Sequence, residues 1–406
     1  MRTSRRAFLK QAGLAASAYL LGPKVGAAET KFQAFDKFME GFLAEHKAPG
    51  AAVAVTHKGK LVHSKGYGFA NIENKLPVQA DALFRIASIS KPITAAASLH
   101  LVDAKKLKLD DPVLKHVPLK PHETPGQKLD PRWQSITIHQ CLRHTGGWDR
   151  DKSGDPIGIP RQIAQALGAK PPVSPQQIIR YMMGRPLDFN PGERYAYSNL
   201  GYLLLGRAIE TAGGQPYEQF VLKRILAPLG ITRMHLGRAL PRFRAKGEVS
   251  YYDAKRATGH CLYPPSAGEV VPFPDGAANF EGYEAHGGWI ASAIDLVKFG
   301  SAFDSPAACP ILSRSSIANM WQRPPGLAGT DAKGKPRAAF YACGWNVRPT
   351  GMNGHNTWHT GLISGTSTIL VRRHDGVNWA ILFNTDRDAE GKVLSGLIDR
   401  PAYDRL

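Results

Sequence analysis

Apolar residues at helical spacing open the patterned part of the chain. Phe32, Phe35, Phe38, Met39, Phe42 and Leu43 recur three and four apart until Pro49-Gly50 stops the segment. Residues 51–55 then run apolar, a turn follows at Lys58-Gly59, and residues 61–67 resume an extended pattern, which predicts a β-hairpin. The far end of the chain reads the same way. Residues 340–347, 366–371 and 377–383 are three strand candidates, the last two joined at Asp375-Gly376, and residues 393–398 close the chain as an amphipathic helix. Between these β-rich ends, residues 94–107, 175–183, 200–211 and 217–226 carry helical spacing broken by Pro and Gly. Strands at both ends and helices between predict a sheet completed by both ends of the chain. A mostly helical region, roughly residues 100–300, is inserted within it. No internal repeat or low-complexity tract is present. Loops over 120–130 and 264–275 are rich in Pro and Gly and are placed to edge a cleft.

The first residues stand outside this pattern. Ser4-Arg5-Arg6-Ala7-Phe8-Leu9-Lys10 is a twin-arginine export pattern, a short weakly apolar stretch covers 12–21, and Gly26-Ala27-Ala28 offers a small-residue cleavage site. Residues 1–28 therefore read as a signal peptide and 29–406 as the exported protein, periplasmic or secreted. The apolar stretch is too short and too rich in Ala and Gly to span a membrane. With no Cys beside the cleavage site, a lipid anchor is not expected.

Composition changes this picture little. With 43% hydrophobic and 21% charged residues, the chain is an ordinary globular protein with ample core. Five of its +19 net charges (Arg2, Arg5, Arg6, Lys10, Lys24) belong to the signal, and the rest favour contact with anionic polymers, so peptidoglycan or an anionic envelope polymer is an expected partner. No dense basic run is interleaved with aromatics, so nucleic acid is not an expected partner. Cys141, Cys261, Cys309 and Cys343 are widely spaced; export permits disulfides, but spacing does not choose among pairings. Cys141 reads as a buried thiol. His355 and His359 do not converge on a metal at strand or loop spacing, and neither metal nor cofactor is expected.

Three short motifs carry candidate chemistry. Ser88-Ile89-Ser90-Lys91 opens a helical stretch, and at a helix start residues three apart share a face, so the Ser88 hydroxyl and Lys91 amine approach each other. A buried, crowded Lys loses its proton near neutral pH and acts as a general base. Tyr197-Ser198-Asn199 lies on a turn before the helix at Leu200. There a Tyr relays a proton and an Asn holds a substrate carbonyl, although Asn199 as a helix cap and Tyr197 as packing account for the same residues. His359-Thr360-Gly361 precedes a strand candidate, where a glycine lets an extended acyl chain lie against the backbone. The same tripeptide at His144-Thr145-Gly146 follows an apolar helix and reads as structural, with Gly146-Gly147 as the helix terminator.

In this order the motifs S-x-x-K, Y-x-N and H-T-G resemble the signature of penicillin-recognising serine hydrolases, and the chain is most similar to the class C β-lactamase-like branch. Phe84-Arg85-Ile86-Ala87-Ser88, Leu142-Arg143-His144-Thr145-Gly146-Gly147, Pro228-Leu229-Gly230-Ile231 and Gly287-Gly288-Trp289 extend the resemblance over nearly all of the mature chain. It implies an α+β fold. An antiparallel sheet of five or more strands, flanked by helices, stands beside an all-α lobe with the cleft between. It further implies acylation of Ser88, proton transfer by Lys91 and Tyr197, and substrate contact through Asn199. His359 and Gly361 would line the opposite wall, and the backbone N–H groups of Ser88 and Leu362 would form the oxyanion hole. Substrates would be small molecules or peptides. True β-lactamases of this branch carry Lys where this chain has His359, and a neutral imidazole recognises carboxylates less well. An esterase, amidase or peptidase is therefore expected before an efficient β-lactamase. Two other readings are a peptidoglycan-sensing protein with little turnover and an α/β-hydrolase; the chain lacks the G-x-S-x-G elbow of the latter.

Overall fold

The computed structural model describes residues 26–122, 129–351 and 354–406. The expected export signal lies outside the described residues as far as residue 25, and so does most of the 120–130 loop.

Three strands come from the N-terminal end: β1 (Gly50–His57), β2 (Lys60–Asn71) and β3 (Leu76–Pro77). Five come from the C-terminal end: β4 (Phe340–Tyr341), β5 (Asn346–Pro349), β6 (His355–Ile363), β7 (Thr366–Arg372) and β8 (Val377–Phe383). They form one antiparallel sheet in the order β3-β2-β1-β8-β7-β6-β5-β4, in which β1 pairs with β8 and joins the two ends of the chain. Two of its long hairpins, β1–β2 and β7–β8, turn where the sequence predicts. Lys58 and Gly59 have φ of 50° and 76°, the double left-handed turn that matches the twist of a two-residue hairpin. The Lys58 N–H donates to the Gly376 carbonyl at 2.8 Å, tying one turn to the other.

The two-residue period of the strands sorts side chains to two faces. Ala51, Val53, Val55, Ile369, Val371, Trp379, Ile381 and Phe383 share one face. They are buried under Phe35, Met39 and Phe42 of helix α1 (Gly26–Glu45) and under Leu394 and Ile398 of the C-terminal helix. Ala52, Ala54, Leu370, Ala380 and Leu382 point the other way. They join the main core with α2 (Ser90–Asp103), α3 (Asn199–Gly213) and α4 (Ala293–Ser301). The C-terminal helix, α5, runs Leu394–Tyr403. The fold is thus a sheet sandwiched between two helical layers, mixed α and β as expected, with eight strands.

One strand candidate divides. Residues 340–347 do not form a single strand but the hairpin β4–β5, in which Tyr341 faces Asn346 and Phe340 faces Val347. Gly344, at φ 81°, turns the chain, and any Cβ there would sit 2.7 Å from the Ala95 Cβ, so the hairpin tip is held against α2. The His359 tripeptide lies inside a strand, β6, rather than before one.

Candidate active site

Ser88 sits in a single helical turn, Ala87–Ile89, that leads directly into α2. Ala87 is left-handed, at φ 47°, an uncommon conformation for a residue with a Cβ. It is held from several sides. The Ser90 hydroxyl donates to the Ala87 carbonyl at 2.7 Å, and Thr368 on β7 donates to the Ile86 carbonyl at 3.1 Å. Just upstream, the buried Arg85 guanidinium donates to the Pro274, Arg238 and Ala239 carbonyls and lies between the Tyr251 and Phe280 rings. Backbone strain beside a functional side chain persists when its surroundings overdetermine it in this way.

Lys91 and Tyr197 converge on the Ser88 hydroxyl. Lys91 Nζ lies 3.1 Å and Tyr197 Oη 2.9 Å from Ser88 Oγ. Lys91 is fully buried, and its other two contacts are the Asn199 Oδ1 at 2.8 Å and the His286 carbonyl at 2.9 Å. Burial pushes its pKa well below the ordinary lysine value of 10.5; Asp155 opposes that shift and Arg150 adds to it. Both of those contacts are acceptors only, so a neutral amine spends its two N–H bonds on them and aims its lone pair at Ser88 Oγ. Burial raises the Tyr197 phenol above the usual tyrosine value, so it is the protonated form that donates to Ser88.

Asn199 is the first residue of α3, and its amide is committed within the protein. Oδ1 accepts from Lys91, and Nδ2 donates to Asp155 Oδ2 at 2.6 Å. An ionised carboxylate only accepts, so Asp155 fixes which end of the amide faces Lys91. Arg150 lies with its guanidinium 4.5 Å from the centre of the Tyr197 ring and 3.9 Å from Asp155. Asp155 and Arg150 escaped the sequence reading. They sit in a stretch of alternating charges whose local signal, Asp155 before Pro156, marks only a helix cap.

The opposite wall is β6. Hairpin β4–β5 covers only His355–Trp358 of it, and among the described residues no strand pairs with the rest on that side. Gly361 makes close approach to the Ser88 turn possible. A Cβ there would lie 2.3 Å from the Ile86 carbonyl oxygen and 3.1 Å from the Ala87 Cβ. Leu362 follows, half-exposed at 39%. His359 is paired with Leu370, on the sheet face that carries α2, but it is covered. It is 3% exposed, with Nδ1 donating to the Thr360 carbonyl at 2.7 Å and Nε2 accepting from the Tyr341 hydroxyl at 3.0 Å. Burial, reinforced by the Lys91 charge, pushes its pKa down to about 3, so the imidazole is neutral. Tyr341 is the side chain that reaches the adjoining cavity of about 450 Å³, which Arg194, Tyr195, Phe340 and Asn346 also line.

The first His-Thr-Gly copy also reaches the site, from behind. The left-handed residue that ends its helix is His144 (φ 56°) rather than Gly146, and its ring packs 4.3 Å from Tyr197 and 4.4 Å from Tyr341. All four cysteines are free thiols. Among the described residues no cluster of His, Cys, Asp or Glu could hold a metal ion, and no helix is long and apolar enough to cross a membrane.

This geometry has counterparts. Residues 35–400 match the model of the family described as Beta-lactamase. Protein flp of Staphylococcus aureus (strain COL) is 25% identical over 90% of this chain; the chain spans 65% of that relative's length. The octameric penicillin-binding protein homologue from Pyrococcus abyssi is 26% identical with a TM-score of 0.67, over 91% of this chain and 77% of that one. A D-amino acid amidase from Ochrobactrum anthropi SV3 shares the fold at 23% identity and a TM-score of 0.65, over 92% and 97%. The chain belongs to the beta-lactamase family of serine hydrolases, with the β-lactamase/transpeptidase fold.

Proposed function

We propose that this protein hydrolyses esters or amides, including those of D-amino acids or peptides, through an acyl-enzyme on Ser88, and that β-lactams are poor substrates. The observation that carries the reading is the convergence of a buried Lys91 amine and a protonated Tyr197 hydroxyl on Ser88 Oγ. Lys91 takes the Ser88 proton as Oγ bonds to the substrate carbonyl carbon. The oxyanion accepts from the backbone N–H groups of Ser88 and Leu362. As the tetrahedral adduct collapses, Tyr197 protonates the leaving alcohol or amine and recovers its proton from the Lys91 ammonium. Water then repeats the sequence on the acyl-enzyme. The transient phenolate has cations in Lys91 and Arg150, on opposite chain segments, and none in His359. The amidase with the same fold supports the substrate class. The twin-arginine pattern supports action in the periplasm or outside the cell.

The deciding experiment follows intact mass over time with a p-nitrophenyl ester, a D-amino acid amide and a penicillin, beside Ser88→Ala. Ester or amide turnover that Ser88→Ala abolishes, with only slow penicillin adduct formation, is expected. Turnover that survives Ser88→Ala removes the nucleophile, and penicillin turnover exceeding that of the ester makes the protein a β-lactamase. A long-lived adduct with every ligand favours a sensor.

A further inference from the structure

Arg143 precedes the first His-Thr-Gly copy and plays no part in the chemistry above. It is 6% exposed, and among the described residues it makes no ion pair. Its Nη2 donates to the Gln322 side chain at 3.2 Å and more distantly to the Gln322 carbonyl, and the Cys343 thiol lies alongside. Its buried Nε has no partner. Taking a guanidinium from water without a counter-charge is strongly unfavourable, which is why buried arginines are normally paired.

We propose that the cavity beside Arg143 binds a small oxyanion, a phosphate or a carboxylate. The cavity measures about 210 Å³; its polar wall is Thr137, His139, Gln140, Arg143 and Thr145, and Pro324 and Pro325 line it as well. No acidic side chain lines it. The wall is rich in donors whose acceptors are already used. Gln140 spends Oε1 on the Thr137 N–H, leaving its amide Nε2 beside Gly192, and the Thr137 oxygen accepts from the Gln140 N–H, leaving its own O–H. His139 Nε2 is buried without a partner. Guanidinium, amide, hydroxyl and imidazole donors around an acid-free space are complementary to oxygen-rich anions. The volume suits such an ion rather than a drug-sized ligand. His139 registers the missing counter-charge: burial and, after it, Arg143 push its pKa down to about 4.

Calorimetric titration of the purified protein with inorganic phosphate, and separately with acetate, at constant ionic strength tests this. Saturable binding at one site is expected, weakened at least tenfold in Arg143→Gln. Binding of phosphate alone or of acetate alone identifies the anion. No saturable heat with either, or unchanged affinity in Arg143→Gln, overturns the proposal. If that variant does not fold, NMR titration of His139 in the unmodified protein decides. The bound anion must raise its pKa, and an unmoved titration sinks the site.

Discussion

The chain carries His-Thr-Gly twice, and both copies end up against the same tyrosine, Tyr341, with opposite local structures. His359-Thr360-Gly361 lies in strand β6, flush against the nucleophile turn. His144-Thr145-Gly146 lies in an irregular turn after a five-residue helix. Burial makes both imidazoles neutral, yet they hold opposite tautomers. His359 donates from Nδ1 to a carbonyl and accepts at Nε2, whereas His144 accepts the Ser198 N–H at Nδ1 (3.2 Å) and so carries its proton on Nε2. The glycines differ too. Gly361 is required by backbone, the Ile86 carbonyl, while Gly146 is required by the Trp148 ring, 2.4 Å from where a Cβ would lie. The same three residues thus lie against the Ser88 turn in one element and against the Trp148 ring in another, because the element decides which atoms each glycine faces.

The sharpest way to break this comparison is to add one methyl to each glycine. In Gly361→Ala the new Cβ meets the Ile86 oxygen and the Thr368 hydroxyl, both at 2.3 Å, and the strand or the nucleophile turn must move. Displacement on the scale of an ångström costs about a hundredfold in kcat/KM, and that loss is expected for any good substrate. Gly146→Ala meets a side chain, so overpacking costs about 1–3 kcal/mol of stability while kcat/KM changes little. Steady-state kinetics beside denaturant melts separates the two. Equal kinetic losses would mean that both turns position the nucleophile.

Next in size is His359→Lys. The new ammonium sits near Lys91, lowers the Lys91 pKa further and moves the acid limb of kcat/KM to lower pH. It also offers the Tyr197 phenolate a third cation. The ratio of β-lactam to ester kcat/KM is expected to rise about tenfold, within the range of one positioned charge. His144→Gln, which adds no charge beside Tyr197, should lower stability without shifting that ratio. A pH profile and substrate ratio unchanged by His359→Lys would remove the electrostatic basis for ranking β-lactams last.

These residues also show where sequence reading stops. Sheet and helices were legible because their signals are local: a two-residue or 3.6-residue period, and glycine turns such as Lys58-Gly59 and Asp375-Gly376. The 340–347 hairpin was hidden because its turn, Cys343-Gly344, lies inside an apolar run and is stabilised by contact with α2, which no local pattern records. Ser88, Lys91 and Tyr197 belong to motifs of short fixed spacing, and the structure brings them together. Asp155, Arg150 and Tyr341 each act on a residue far away in the chain, and single charges or rings at such separations leave no spacing to read. The covering of His359 leaves no local trace for the same reason: the ring that covers it comes from another strand.

The smallest effect, and the most specific to the tautomers, is on stability against pH. Each histidine has a folded pKa below its unfolded value of about 6.5. Above that value both states hold the neutral ring and stability is full. As pH falls below it the unfolded chain takes up a proton that the folded site refuses, so stability declines toward the folded pKa. The two sites refuse that proton for different reasons. At His359 a proton on Nε2 meets the Tyr341 hydroxyl, which can rotate from donor to acceptor, so the hydrogen bond survives and the cost is burial and the Lys91 charge. At His144 a proton on Nδ1 points at the Ser198 N–H, a donor fixed by the backbone, and the bond is lost as well. The melting temperature should therefore fall between pH 6.5 and 4. His144→Gln should flatten that fall more than His359→Gln, by roughly a few degrees at the acid end. If His359→Gln flattens it equally or more, the tautomers play no part in the acid loss and the two copies differ only in their glycines.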